Sequence, residues 1–540
     1  MPRTRSAPNI LLIMTDQHRA DHLGCYGNGV LRTPHIDAIA RRGVRAGRFY
    51  VANTTCMSNR ATLMTGRMPS RHGVVHNGIN LDRDHVTFVD LLKDAGYATA
   101  LIGKSHLQAF GYDGAGRRTW TNAGTGTPPS PLLRDAVRAT RSGPQYLNEW
   151  TPLWREGGRS AVDTPYYGFD HVELCTLHGD QVGGDYDAWL ARRHANPASL
   201  RGPAHAISGP RHGTPQAWRT RMPEHLYPSA YIGERTCAWL EEHARQHATQ
   251  PFFLQCSFPD PHHPYTPPGR FWDMYRPQDI PLPPTFFQQP RPDALERIHG
   301  RTRNGLSREG TAAFSVSPAE CQEIIALTYG MISMIDEQVG RIDATLERLG
   351  LRGDTVVIFT SDHGDLMGDY GTMLKGPIHA QGVIRVPFIW REGQGKHDGR
   401  AGATLDIPAG TLDIARTILE KAGVAPYNGL QGLSLLPWLE GRQAPPPRRR
   451  GMVIESEQPR QTDPGLPRLR VRSLVTDRWR ITLSNHAQAG ELYDLREDPL
   501  ETRNLWASAD ARTQRESLLL QLVQEMLDLS DESPLPAAVA

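Results

Sequence analysis

The sequence has no C-x-x-C pair, no apolar stretch long enough to span a bilayer, no pronounced net charge and no internal repeat. Its six cysteines, Cys25, Cys56, Cys175, Cys237, Cys256 and Cys321, are scattered. That spacing excludes a disulfide framework and a zinc pattern. A net charge of +2 on 540 residues gives no electrostatic reason to expect nucleic acid or a membrane surface as partner. The N-terminus, M-P-R-T-R-S-A-P, leads into a short apolar run, Ile10 to Met14, that ends in Thr15-Asp16. Such a run is too short for a signal peptide or a membrane span, so a cytoplasmic location is expected. What is present is the composition of a globular chain, 39% apolar and 22% charged, with 51 glycines and 43 prolines that predict long loops. The length accommodates one large domain and a smaller one.

Two nearly continuous apolar runs, Asn9 to Met14 and Thr355 to Thr360, read as central strands of a parallel sheet covered on both faces. Each ends in a polar tip, Thr15-Asp16-Gln17-His18 and Ser361-Asp362-His363-Gly364-Asp365. A third strand, Ala98 to Ile102, runs into Gly103-Lys104-Ser105-His106, and a fourth, Phe252 to Phe258, into Pro259-Asp260-Pro261-His262-His263. In open α/β sheets the chemistry collects beyond the carboxyl ends of strands, which makes these tips candidates. Helices are predicted at 36–42, 87–95, 231–243, 323–349, 411–421 and 513–527. A strand is predicted over Val383 to Trp390 and an irregular segment over Pro281 to Ser317. Residues 110–220, rich in Gly, Pro, Arg and Trp, read as a long insertion walling a pocket. Past a Pro/Arg-rich linker at 443–450, alternating stretches predict an antiparallel sheet.

Cys56 stands just before a short helical pattern, with Ser58 or Asn59 as N-cap and Gly66 as its end. A helix start offers free N–H groups and partial positive charge, and Arg60 lies four residues on. A buried reduced cysteine is the plain reading of that stretch alone. If the two central strands are neighbours, however, Asp16, Asp362, His363 and the amide oxygen of Gln17 meet around a divalent cation. Such an ion would activate a nearby nucleophile and hold an anionic ester, with Arg60, Lys104, Lys375 and the histidines neutralising the remaining oxygens. That set suits phosphoryl or sulfuryl transfer and not acyl transfer.

The motifs then match a family nearly end to end. P-N-I-L-L-I-M-T-D-Q, T-P-H-I-D, C-M-S-N-R-A-T-L-M-T-G-R, I-G-K-S-H-L, P-H-H-P, S-D-H-G-D-L-M-G-D, I-R-V-P-F-I and E-L-Y-D-L-R-E-D-P-L-E-T-R-N-L occur in the order and spacing of a sulfatase of the alkaline phosphatase superfamily, which this chain resembles. The resemblance implies that Asp16, Gln17, Asp362 and His363, with residue 56, bind one divalent metal ion, Ca²⁺ or Mn²⁺ ahead of Zn²⁺ or Mg²⁺. It implies that Cys56 is converted to formylglycine, whose hydrate attacks sulfur with one hydroxyl while the other later expels sulfate. A formylglycine-generating enzyme would then be a partner. Arg60 would steady the diol. Lys104, His106, Asn77 and Lys375 would bind the ester oxygens, and His262 would protonate the leaving group. There are departures: Ser58 stands where the family's modification motif has Pro or Ala, and Gln17 and the Cys56-to-Asn77 spacing resemble the phosphonate monoester hydrolases.

Three readings follow. The first is a sulfuric ester hydrolase acting on an aryl or alkyl sulfate. The second is a phosphonate monoester hydrolase or phosphodiesterase on the same site, with Cys56 in either form. The third is a non-enzymatic anion- or metal-binding relative. The expected architecture is α/β, a large mostly parallel sheet flanked by helices over 1–442 and a small domain with an antiparallel sheet over 443–540. The partner is a small anionic ester, and a homo-oligomer is left open. Arg448 to Arg450 is read as a solvated linker, and His263 as structural or rim.

Overall fold

The computed structural model describes residues 7–111, 141–305, 308–393, 400–442, 449–458, 469–486 and 489–531. Its centre is a nine-stranded sheet. The strands, in chain order, are β1 (Asn9–Thr15), β2 (Val44–Ala46), β3 (Ala98–Lys104), β4 (His171–Thr176), β5 (Gly183–Gly184), β6 (Phe252–Ser257), β7 (Thr355–Ser361), β8 (Phe388–Arg391) and β9 (Ala403–Leu405). Their spatial order is β9-β2-β8-β7-β1-β6-β3-β4-β5. The five middle strands from β7 to β4 are parallel, while β8 and β5 run against their neighbours.

The apolar run of β1 is buried on both faces, as a central parallel strand requires. Leu11 and Ile13 face a core that contains α1 (Pro34–Arg41), α3 (Pro228–Gln246) and α4 (Pro318–Arg348). Ile10, Leu12 and Met14 face the opposite core, which holds α2 (Cys56–Thr65) and α5 (Thr411–Ala422). The 31-residue α4 starts on a capping box: Ser317 accepts from Glu320 N and the Glu320 side chain reaches back to the Ser317 N–H. A second sheet, antiparallel and four-stranded, is built from β10 (Met452–Gln458), β11 (Leu469–Val475), β12 (Trp479–Ser484) and β13 (Glu491–Asp494). The final helix, α6 (Arg512–Asp528), packs on it through Leu518 and Leu522.

Several expectations change. Val383–Ile384 sit in a helical turn, Gln381–Ile384, and the strand begins only at Phe388, after Pro387. The segment expected to be irregular at 281–317 carries a helix, Asp293–Arg303. The insertion at 110–220 supplies a strand of the central sheet, β4, and its residues 112–140 lie outside the described residues. Of the expected linker, 443–448 lie outside the described residues. Arg449 and Arg450 are not free: Arg449 pairs with buried Asp413, and Arg450 with Glu525 and Asp528 on α6. Among the described residues no helix is long and apolar enough to cross a membrane.

Candidate active site

The sheet register sets the site. Met14 lies beside Thr360 and beside Ser257, Ser257 beside Gly103, and Lys104 beside Cys175. Five adjacent strands therefore end at one level, and their tips deliver Asp16 and Gln17, Asp362 and His363, His262, Lys104 and His178. The tip of β1 is tied to that of β7, because Gln17 N donates to Asp362 Oδ1 at 3.1 Å and Asp362 N to Thr15 O at 3.2 Å.

Helix α2 points its N-terminus at this level, with Cys56 as its first residue and Thr55, not Ser58 or Asn59, in the N-cap position. All ten of its residues are buried, so Asn59 and Arg60 are spent on internal bonds. Asn59 accepts from Ala52 N and donates to Asp362 O at 2.6 Å. Arg60 Nε donates to Asp362 Oδ2 at 2.7 Å, and Nη1 to Lys104 O and Ser257 Oγ at 3.0 Å. Gly66 ends the helix in the left-handed conformation expected of it. Asn77 Oδ1 accepts from Met57 N at 3.1 Å, taking one of the free N–H groups beside Cys56.

Ligand atoms of Asp16, Cys56, Asp362 and His363 lie within 4.8 Å of one another, all buried. Cys56 Sγ is 3.0 Å from His363 Nε2 and 3.5 Å from Lys375 Nζ. His363 Nδ1 donates to Gly364 O, which turns Nε2 toward Cys56. Two buried carboxylates, an imidazole nitrogen and a thiol or oxygen at position 56 form a donor set that fits one divalent cation. Lys104 Nζ bonds both Asp16 Oδ2 and, at 2.7 Å, His178 Nε2. Lys375 Nζ also donates to Gln17 Oε1 at 2.6 Å, while the Gln17 amide nitrogen bonds Asp365. The Gln17 side chain is thus engaged by Lys375 and Asp365, at the edge of the cluster.

The electrostatics follow. Burial pushes the Asp16 carboxyl up, but Lys104, His262, His178 and Arg60 outweigh it and hold it well below the usual carboxylate range. Burial and Asp16 push the Cys56 thiol up, and Lys375, Lys104 and His363 override them to bring it below its ordinary value. Burial keeps His262 well below the usual imidazole range, helped by His178, His263 and Lys375. Its Nδ1 donates to His263 O at 2.6 Å, so Nε2 is the free nitrogen.

His106 lies at the same level but its ring stacks on Phe110 at 3.9 Å, and its buried Nδ1 has no hydrogen-bond partner. His263 is not on the rim: it is buried, stacked on His262 at 4.0 Å, with Gln17 Nε2 3.4 Å from its Nδ1. Sequence reasoning missed His178, which stacks on His262 at 3.7 Å and lies 3.5 Å from Asp16. It follows the end of β4, whose sequence H-V-E-L-C-T lacks the apolar run that flagged the other strands.

Fold and site together define a member of the alkaline phosphatase superfamily. The chain belongs to the sulfatase family: the family's model, described as Sulfatase, matches residues 8–424, and that of the N-sulphoglucosamine sulphohydrolase C-terminal region matches 380–531. The chain is 26% identical over 521 residues to an arylsulfatase of Clostridium perfringens, covering 96% of this chain and 94% of the relative. It is 27% identical over 455 residues to a multifunctional alkaline phosphatase superfamily protein of Trinickia caryophylli, covering 80% and 77%. The crystal structure of the phosphonate monoester hydrolase of Agrobacterium radiobacter superposes with a TM-score of 0.74 at 26% identity, covering 98% of this chain and 97% of that one.

Proposed function

We propose that the protein hydrolyses sulfate esters at Cys56, and that residues 1–442 form the catalytic domain with 443–540 as a small domain packed against it. The observation that carries this is the buried group of Asp16, Cys56, Asp362 and His363 within 4.8 Å of one another, with Arg60, Lys104 and Lys375 bonded into it. Asp16, Asp362, His363 and residue 56 would hold a divalent cation, with Gln17 at the edge of the set, and a bound ion would polarise the ester. Formylglycine at position 56 would supply a hydroxyl nucleophile in place of the thiol.

The chain's own groups do the rest. Lys104, bonded to Asp16, and Lys375, 3.5 Å from Cys56 Sγ, neutralise two of the ester's oxygens, with His106 and Asn77 as further contacts. Arg60 fixes the first turn of α2 against Asp362 and so aims residue 56. A ring nitrogen of His262 lies within 4.8 Å of an Asp16 carboxylate oxygen, and an arriving anion would raise the proton affinity that burial keeps low. On that reading it takes a proton when the anion is bound and hands it to the departing oxygen.

A second reading is a phosphonate monoester or phosphodiester hydrolase on the same groups. The match at 26% identity to the Agrobacterium radiobacter phosphonate monoester hydrolase, over almost the whole of both chains, favours it. The test is side-by-side turnover of an aryl sulfate and an aryl phosphonate monoester by metal-loaded protein co-expressed with a formylglycine-generating enzyme. Preference for the sulfate supports the first reading, and preference for the phosphonate replaces it with the second.

A further inference from the structure

The loop that follows β3 turns sharply. His106 has φ +59°, in the left-handed region that non-glycine residues rarely enter. Its N–H and the next two point the same way, and one carboxylate receives all three. Glu149 Oε2 accepts from His106 N at 2.7 Å, and Oε1 from Leu107 N at 2.8 Å and Gln108 N at 2.9 Å. Tyr166 donates its hydroxyl to the same Oε1 at 2.6 Å. Glu149 is 0% exposed; burial pushes its carboxyl up, its two oxygens take four hydrogen bonds, and among the described residues no cation bonds it.

On the other side of Ser105, Arg60 Nη1 holds Lys104 O at 3.0 Å. A guanidinium and a carboxylate therefore grip this loop from either side, one by its carbonyl and one by its N–H groups. Between them the Lys104 side chain is aimed at Asp16 and His178.

We infer that Glu149 is a positioning residue for ester binding: its carboxylate holds the 105–108 loop in the left-handed turn that sets Lys104 and His106. This rests on the proposed function. It also gives the insertion a role, because Glu149 comes from it, and Thr151 N reaches back to Phe110 O at 2.6 Å beside the same loop. Glu149→Gln keeps the volume but places an NH₂ group against N–H donors, so at least one backbone donor loses its acceptor.

The experiment is a double-mutant cycle of Glu149→Gln with Lys104→Met on metal-loaded protein, reading kcat/KM and the Kd of inorganic sulfate by calorimetry. In the wild-type background Glu149→Gln should lower kcat/KM by about 100-fold, the scale of a misplacement near 1 Å, and weaken sulfate binding in parallel. In the Lys104→Met background it should cost little more, because the group it aims is gone. Tyr166→Phe, which leaves the carboxylate and its three N–H bonds, gives a smaller loss of the same kind and serves if Glu149→Gln does not fold. Equal losses in both backgrounds, or a lowered melting temperature with kcat/KM of the folded protein unchanged, overturn the inference while leaving the proposed function standing. Wild-type protein that neither turns over an ester nor binds sulfate or phosphate overturns both.

Discussion

Arg60 Nε donates to Asp362 Oδ2 at 2.7 Å, with both side chains buried, and the bond joins α2 to the tip of β7. Asp362 also accepts from Gln17 N, so it serves the helix, β1 and the buried group of Asp16, Cys56 and His363 together. Asp362→Asn should therefore do two things. It removes a ligand, so the protein as purified should carry far less divalent metal by elemental analysis. It also leaves the buried Arg60 guanidinium with only its longer pair to Asp16, at 3.8 Å, a loss expected to lower stability by less than the about 3–5 kcal/mol of a wholly broken buried pair, read from urea unfolding at neutral pH. Retained metal with unchanged stability would refute the assignment.

The state of Cys56 can be weighed directly. Digestion with trypsin yields the peptide Phe49–Arg60, and conversion of its CH₂SH to CHO gives a defined mass loss. The aldehyde form is expected in protein co-expressed with a formylglycine-generating enzyme, and turnover should rise in proportion to its fraction. Cys56→Ala should abolish turnover without unfolding the chain, since Asn59 and Arg60 still anchor the helix. An unchanged mass in active protein leaves the thiol as nucleophile, which the lowered Cys56 pKa accommodates.

Much of this site was legible in the sequence. Asp16, Lys104, Asp362 and His363 sit where apolar runs stop and polar residues begin, and parallel register carries such ends to one level, while Cys56 is marked by a helix start. His178 was not legible because the first three residues of β4 are half-buried, so its strand lacks the continuous apolar run that flagged the others. Glu149 sits in a stretch without periodicity, and its partners are main-chain N–H groups that leave no mark on composition. The stretch 383–390 failed for the opposite reason: an apolar run does not by itself separate a helical turn from a strand.

His379 shows how the small sheet reaches the site. Its Nδ1 pairs with Ser473 Oγ at 2.7 Å and its Nε2 with Ser456 Oγ at 2.9 Å, and Ser456 Oγ in turn meets Thr54 Oγ1, two residues before Cys56. Burial, then Arg480 and Arg472, push its pKa down to about 3. The folded state therefore binds fewer protons here than the unfolded chain between about pH 6.5 and pH 3, and stability falls as pH falls through that window. His379→Gln should flatten the loss, by up to about 1.4 kcal/mol per pH unit near pH 5. Urea midpoints of both proteins across pH 7.5 to 5 check this. Parallel curves would mean that His379 stays neutral in both states or protonates without cost.

Gly103 tests the register that the site depends on. It has φ +108°, and a Cβ there would fall 1.9 Å from Ser257 O, a main-chain atom of the neighbouring strand β6. Neither contact nor conformation can relax without pushing β3 away from β6, and Lys104 is the next residue. Gly103→Ala is expected to lower soluble yield and melting temperature sharply and, in whatever folds, to abolish turnover by shifting Lys104. Gly353→Ala is the control, since a Cβ there meets nothing within 4 Å, and it should behave as wild type. A Gly103→Ala protein with wild-type melting temperature and activity would show that β3 and β6 are not in the register on which Lys104 reaches Asp16.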